Sequence, residues 1–330
     1  MLGFETVVSA LRWFHGFSDP LAWIVLGALL AAVALEAADR REPARYAAVL
    51  AWVVFAAFWL SLIHYYAVTS KSIVEGLGSL VAVPGCLYAA YLLANGRDSL
   101  FVLTRAVAGM ALVFLPFEAY GPARAFLIET VTRQTEFAMG LVGQTTPEDF
   151  TVISGAEVGR PDLRSTFEFW PAEDHRVTYT IRIACTGLGS IAIFAGAIGA
   201  VRAPLGRKLR ALAVSVPVIY GLNIVRNVFI GLSFGQQRLH VFPDLVMTLF
   251  ASSDPYMVSY FVADRILAQV LSVVALIGIT WLVVRELPEI VVPLEDVLYM
   301  LTGTEYDLLA AVEGDDSGTP VADDRARAGD

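Results

Sequence analysis

The stretch Pro20-Leu-Ala-Trp-Ile-Val-Leu-Gly-Ala-Leu-Leu-Ala-Ala-Val-Ala-Leu-Glu-Ala-Ala38 carries a single charge, Glu36. Its length matches the ~20 apolar residues a helix needs to cross the ~30 Å hydrocarbon layer of a bilayer. Comparable runs recur at 46–66, 73–94, 99–118, 183–201, 210–232 and 257–284. The whole chain of 330 residues is 57% hydrophobic and 17% charged, whereas a soluble domain is about 25% charged. The sequence therefore predicts an all-α polytopic membrane protein with about seven transmembrane helices. One long extracytoplasmic loop, 119–181, has room for a short strand pair.

The remaining segments divide around that core. Residues 1–19 read as an interfacial N-terminal segment with Trp13 and Phe14, and 20–285 as the membrane core. The first run is expected to be retained rather than cleaved, because some twenty residues precede it and include Glu5 as well as Arg12. Residues 286–312 read as a cytoplasmic amphipathic segment around Leu294, Val297, Leu298, Leu301 and Leu308, and 313–330 as a disordered acidic tail. Within the loop, Pro122 to Val142 reads as a helix, and the alternation of 176–182 as a short strand. Lys and Arg favour the cytoplasmic side. Arg40, Arg41, Arg45, Arg97, Arg202, Arg207, Lys208, Arg210 and Arg285 all fall in connections on one side, against Arg12, Lys71 and Arg238 on the other. The N-terminus is thus expected outside and the C-terminus inside.

A net charge of −9 argues against a nucleic-acid partner, which needs a basic face. Two cysteines make no disulfide framework, and His15, His64, His175 and His240 are too scattered for a metal motif, so no metal or cofactor is expected. Gly187-Leu-Gly189-Ser-Ile-Ala192 matches a dinucleotide-binding fingerprint, but basic residues stand where the acidic residue belongs. Those small residues suit close helix contact instead.

Ionisable groups inside spans cost roughly 2.5–3.5 kcal/mol on insertion scales and so mark function. Cys185, Arg226 and Arg265 fall in three spans adjacent in sequence, at expected depths of roughly 5, 9 and 12 Å below the outer surface. A desolvated thiol is inert, but a guanidinium beside it favours the thiolate and later an oxyanion. Cys185 is thus a candidate nucleophile, with Arg226 and Arg265 as anion stabilisers. Each also has a plain structural reading: snorkelling for Arg226, and an ion pair with Asp254 or Asp264 for Arg265. Cys86, among apolar neighbours, reads as packing. His175 and His240 are loop histidines able to serve as a general base, and Glu118 reads as interfacial.

The string Ala184-Cys-Thr-Gly-Leu-Gly-Ser190 at the head of one span, Asn223-Ile-Val-Arg226-Asn-Val in the next and Arg265 in the last resemble the exosortase and archaeosortase superfamily over about 70–285. The third position, generally His in exosortases, is arginine here, as in the archaeal branch. The resemblance implies a transpeptidase-like enzyme of the cytoplasmic membrane, acting on its outer side. Its partners would be secreted proteins with a C-terminal tripartite signal (a Pro-Gly-Phe type motif, a hydrophobic helix and a basic end), such as the S-layer glycoprotein. A membrane lipid would accept the new C-terminus. Carried over, Cys185 is the nucleophile, Arg226 the essential arginine and Arg265 the third catalytic residue; Asn223 and Thr186 are candidate substrate contacts. The rival from the residues alone is a transporter or channel in which the two arginines bind an anion; a purely structural scaffold is a third reading.

Overall fold

The computed structural model describes residues 2–70, 72–143 and 150–308; the tail 313–330 lies outside them. Helices α1 (Leu2–His15), α2 (Ser18–Ala37), α3 (Arg41–His64), α4 (Ile73–Ala94) and α5 (Phe101–Ala119) run back and forth through short turns. Helix α6 (Gly121–Leu141) leads to strands β1 (Thr151–Ser154), β2 (Arg164–Ala172) and β3 (His175–Thr180). Next come α7 (Leu188–Ala200), α8 (Leu205–Gly235) and α9 (Pro243–Leu249). Met257–Tyr260 (α10), a π-helical segment Phe261–Leu267 and α11 (Ala268–Glu286) form one continuous rod, followed by α12 (Val291–Thr302).

Among the described residues six helical rods are long and apolar enough to cross a bilayer: Ser18–Ala37, Arg41–Thr69, Ile73–Ala94, Asp98–Ala119, Leu205–Gly235 and Met257–Glu286. Large side chains such as Leu50, Leu80, Val274 and Ile277 stand exposed on them, as lipid-facing surface requires. The seventh expected run, 183–201, differs. Its helix α7 has 13 residues, about 20 Å at 1.5 Å per residue, short of the ~30 Å layer. Gly187 takes φ +77° and breaks the run, so Cys185 sits in a 3₁₀ turn ahead of the helix rather than inside a span.

Helix α7 compensates by packing closely. Gly196 meets Gly109 of α5, where a Cβ on Gly109 would stand 3.0 Å from the Gly196 Cα and one on Gly196 would overlap the Ala106 carbonyl. Small residues permit such backbone approach inside a membrane. Gly196→Val is expected to force the pair apart and to destabilise the fold by about 1–3 kcal/mol, read as a lowered thermal midpoint in detergent.

The expected strand pair is a three-stranded antiparallel sheet, β1-β2-β3. Phe167 and Phe169 of β2, with Val177 and Tyr179 of β3, point inward onto α6 and α8 and form one buried cluster with Met139 and Ile230. Arg164 clamps Glu136 of α6 with two hydrogen bonds of 2.8 Å, and that bond raises the guanidinium pKa. The sheet thus caps one end of the bundle. At the other end, Arg97 bonds Glu305 at 3.2 Å, lies 3.7 Å from Asp296 and stacks on the Tyr299 ring at 3.5 Å, fastening α12 beneath the helices.

Candidate active site

Beyond β3 the chain passes buried Ile181 and reaches the 3₁₀ turn Ile183–Cys185. Glycine is needed at 187: besides its positive φ, a Cβ there would lie 3.2 Å from the Asn223 side chain. The turn therefore comes down directly on α8. Asn223 and Asn227 donate through Nδ2 to the Cys185 carbonyl, at 2.7 and 2.8 Å, and a carbonyl's two lone pairs accept both. Residues at i, i+3 and i+4 share a helix face, so the face that grips the Cys185 backbone also carries Arg226. Asn223, expected as a substrate contact, thus has its amide on the protein's own backbone. Thr186, the other, is buried and closes the turn: its hydroxyl donates to the Ile183 carbonyl at 2.7 Å and accepts from Leu188 N at 3.4 Å.

The sheet is wired to the same point. The Tyr179 hydroxyl donates to Asn227 Oδ1 at 3.3 Å. Burial pushes Tyr179 well above the ordinary tyrosine range, so it remains a protonated donor. Asn227 is fully buried between sheet and turn.

Arg226 donates from Nη2 to Asp264 Oδ1 at 2.6 Å. The other carboxylate oxygen, Oδ2, is 3.6 Å from Arg265 Nε, and the Tyr260 hydroxyl donates to the same carboxylate. Asp264 is only 10% exposed at its side chain, against 28% for Arg226. Arg265 further reaches Ser70 Oγ at 3.4 Å and stands 5.6 Å from the Tyr260 ring centre. The Cys185 side chain is half buried on the turn that Asn223 and Asn227 hold. The turn bearing Cys185 thus rests on the face of α8 that carries Arg226, and Arg226 and Arg265 share the Asp264 carboxylate.

Asp264 was legible only as a structural partner of Arg265. In an α-helix, neighbours project about 100° apart, so Asp264 and Arg265 should diverge. Both lie in the π-helical segment Phe261–Leu267, and such wider turns occur frequently at functional sites. A second π segment, Tyr65–Thr69, ends next to Ser70, which meets Arg265; Ser72 accepts from Gln269 at 3.1 Å. The isolated Asp-Arg pair in an apolar run was the available signal. Asp254 instead accepts from Tyr256 N at 2.9 Å.

The other candidates fall elsewhere. His175 stacks on Tyr256 with ring centres 3.5 Å apart. His240 precedes α9, and Glu118 pairs with Arg124 at 2.8 Å. Cys86 is buried among Trp52, Ala89 and Leu93. Among the described residues no group of three or more His, Cys, Asp or Glu side chains is placed to hold a metal.

A polytopic helical bundle capped at one end by a small sheet agrees with the sequence comparisons. Residues 13–257 match the family Transmembrane exosortase (Exosortase_EpsH), and the chain belongs to that family. The matched region includes Cys185 and Arg226 and ends before Asp264 and Arg265. Archaeosortase A of Haloferax volcanii is 52% identical over 301 residues, covering 88% of this chain and 96% of the relative. Archaeosortase A of Natronomonas pharaonis is 41% identical over 297 residues, covering 88% and 91%. No solved structure matches.

Asn227→Ala tests the clamp. It deletes one donor to the Cys185 carbonyl and leaves the Tyr179 hydroxyl buried without its acceptor, at a cost of about 1–3 kcal/mol. The expected result is a lowered thermal midpoint in detergent, with the Cys185 turn loosened on α8.

Proposed function

We propose that this membrane protein is a cysteine transpeptidase of protein sorting. It cleaves the C-terminal tripartite, Pro-Gly-Phe type signal of secreted proteins such as an S-layer glycoprotein and joins the new C-terminus to a membrane lipid. The observation that carries this reading is the double amide grip on the Cys185 carbonyl from the helix face that bears Arg226. A nucleophile must be held still next to the charge that stabilises its intermediate.

In the proposed reaction the Cys185 thiolate attacks a carbonyl of the client. Arg226, oriented by Asp264, and Arg265 balance the oxyanion. Collapse breaks the C–N bond, the leaving amine takes up the proton the thiol gave away, and a thioester remains on Cys185. A lipid head-group amine then attacks that thioester, loses a proton and returns the thiol. The edge strand β3 supports an extended client segment lying beside the sheet.

The distribution of bases supports a cytoplasmic membrane location with the capped end, and hence the site, outside. In a Cys185→Ala background an impermeant thiol reagent on intact cells should label Trp170→Cys and not Gly206→Cys; the reverse pattern would invert the topology. Mass spectrometry of a client's C-terminus, with and without the protein, tests the reaction itself. A client that keeps its hydrophobic segment in both cells overturns it.

A further inference from the structure

At the end of the bundle opposite Cys185 lies a cavity of about 970 Å³, where the ends of α2 and α7 meet the starts of α3 and α5 and the first turn of α8. Four carboxylates line it, and each already has an arginine. Glu36 pairs with Arg105 at 2.5 Å, Asp39 with Arg41 at 4.0 Å, Asp98 with Arg45 at 2.8 Å and Glu289 with Arg207 at 2.5 Å. Two lining cations are left over. Arg202 is exposed and has no ion pair among the described residues. Lys208 spends one of its three donors on the Gly199 carbonyl at 2.9 Å. The lining itself carries four acids and four bases, but Arg45 and Arg207 neutralise Asp98 and Glu289 from outside it, which leaves Arg202 and Lys208 as the two lining cations without a carboxylate.

The depth of the cavity selects the ligand. Its exposed charges sit where apolar helices end, at the polar boundary of a bilayer, while Val33, Phe101 and Val102 line its wall beside the neutralised Arg105–Glu36 pair. Basic pockets between transmembrane helices at that level take anionic lipid head groups. We propose that this cavity binds the phosphate of an anionic phospholipid, held by Arg202 and Lys208, with the acyl chains running along the apolar wall. The ligand buttresses the far end of α7, the short helix that follows Cys185, whose last carbonyls are already tied by Arg105 (3.2 Å to the Ala200 oxygen) and Lys208. This site is separate from any lipid acceptor at Cys185 and does not depend on the proposed reaction.

The test uses the full chain in detergent with three probes: short-chain phosphatidylglycerol, phosphatidylcholine with the same chains, and inorganic phosphate. Native mass spectrometry counts bound lipid, and the thermal midpoint reports its effect. Phosphatidylglycerol should bind at least tenfold tighter than phosphatidylcholine and raise the midpoint. Arg202→Ala, an exposed change with no fold partner to lose, should weaken phosphatidylglycerol at least threefold, and Arg202→Ala with Lys208→Gln at least tenfold. Arg238→Ala, at the capped end, should bind as the parent does. Equal binding of the two lipids, or undiminished binding by the double variant at an unchanged circular dichroism spectrum, overturns the proposal. Inorganic phosphate matching phosphatidylglycerol would assign the cavity to a soluble anion and overturn the lipid as its ligand.

Discussion

Cys185→Ala is expected to abolish client processing, by about 10⁴-fold or more, the scale on which enzymes lose rate when a covalent nucleophile is removed. Cys185→Ser should do nearly as much harm, because a hydroxyl is far less acidic than a thiol and, among the described residues, no histidine is paired with position 185 as in a serine–histidine pair. Neither change should unfold the protein. The two asparagines hold the Cys185 backbone carbonyl, which both variants keep, and the side chain is only half buried. Loss of activity at an unchanged thermal midpoint is therefore the expected pair of results. Client mobility and the mass of the client's C-terminus provide the measurement. Processing that persists within tenfold in both variants would remove Cys185 as nucleophile and leave the anion-binding role of the arginines as the better reading.

Arg226→Ala has the second largest expected effect, about 10²–10³-fold in kcat, as for the loss of one preorganised oxyanion donor. Lysine should not restore it, since an ammonium lacks the planar fork that can hold Asp264 with one arm and present further donors to an oxyanion. The same truncation strands Asp264, which is 10% exposed and then keeps only the Tyr260 hydroxyl and Arg265 Nε at 3.6 Å. That costs about 3 kcal/mol, the lower end for breaking a buried ion pair. Stability and chemistry are separable. In Arg226→Ala with Asp264→Asn both charges of the broken pair are gone, so the thermal midpoint should recover while activity stays low. If activity recovers along with the midpoint, Arg226 serves the fold alone. Asp264→Asn by itself should leave Arg226 untethered and lower kcat, with a smaller loss of stability than Arg226→Ala.

How far the site could be read from the chain depends on whether its parts are local. Asn223, Arg226 and Asn227 fall at i, i+3 and i+4 of an apolar helical run, so their common face follows from helix geometry alone. What the asparagines grip does not follow. Their partner is a backbone carbonyl some forty residues earlier, and they sit there because Gly187 accepts φ +77° and lets the Cys185 turn descend. Asp264 illustrates the opposite failure. Its identity and its neighbour Arg265 were visible, but its direction was not, because apolar composition does not reveal that Phe261–Leu267 winds as a π-helix. The depth estimate for Arg226 also shifts. Helix α8 continues to Gly235, which places Arg226 about 14 Å from that end rather than about 9 Å.

The chain of residues alone determined the membrane environment and the approximate number of spans. It also determined the helix, the strand and the intervening polar stretch of the long loop, and the identity of the thiol and two guanidinium groups. Those properties depend on hydrophobic length and periodicity, which are sums over neighbouring residues. Tertiary structure decided that 183–201 is a turn plus a short helix, that a third strand completes the sheet, that Tyr179 reaches Asn227, and that one carboxylate joins both arginines. Each of those facts depends on groups remote in sequence approaching within hydrogen-bond distance, or on a backbone turn stable only because a particular neighbour packs against it. No local sum contains that information.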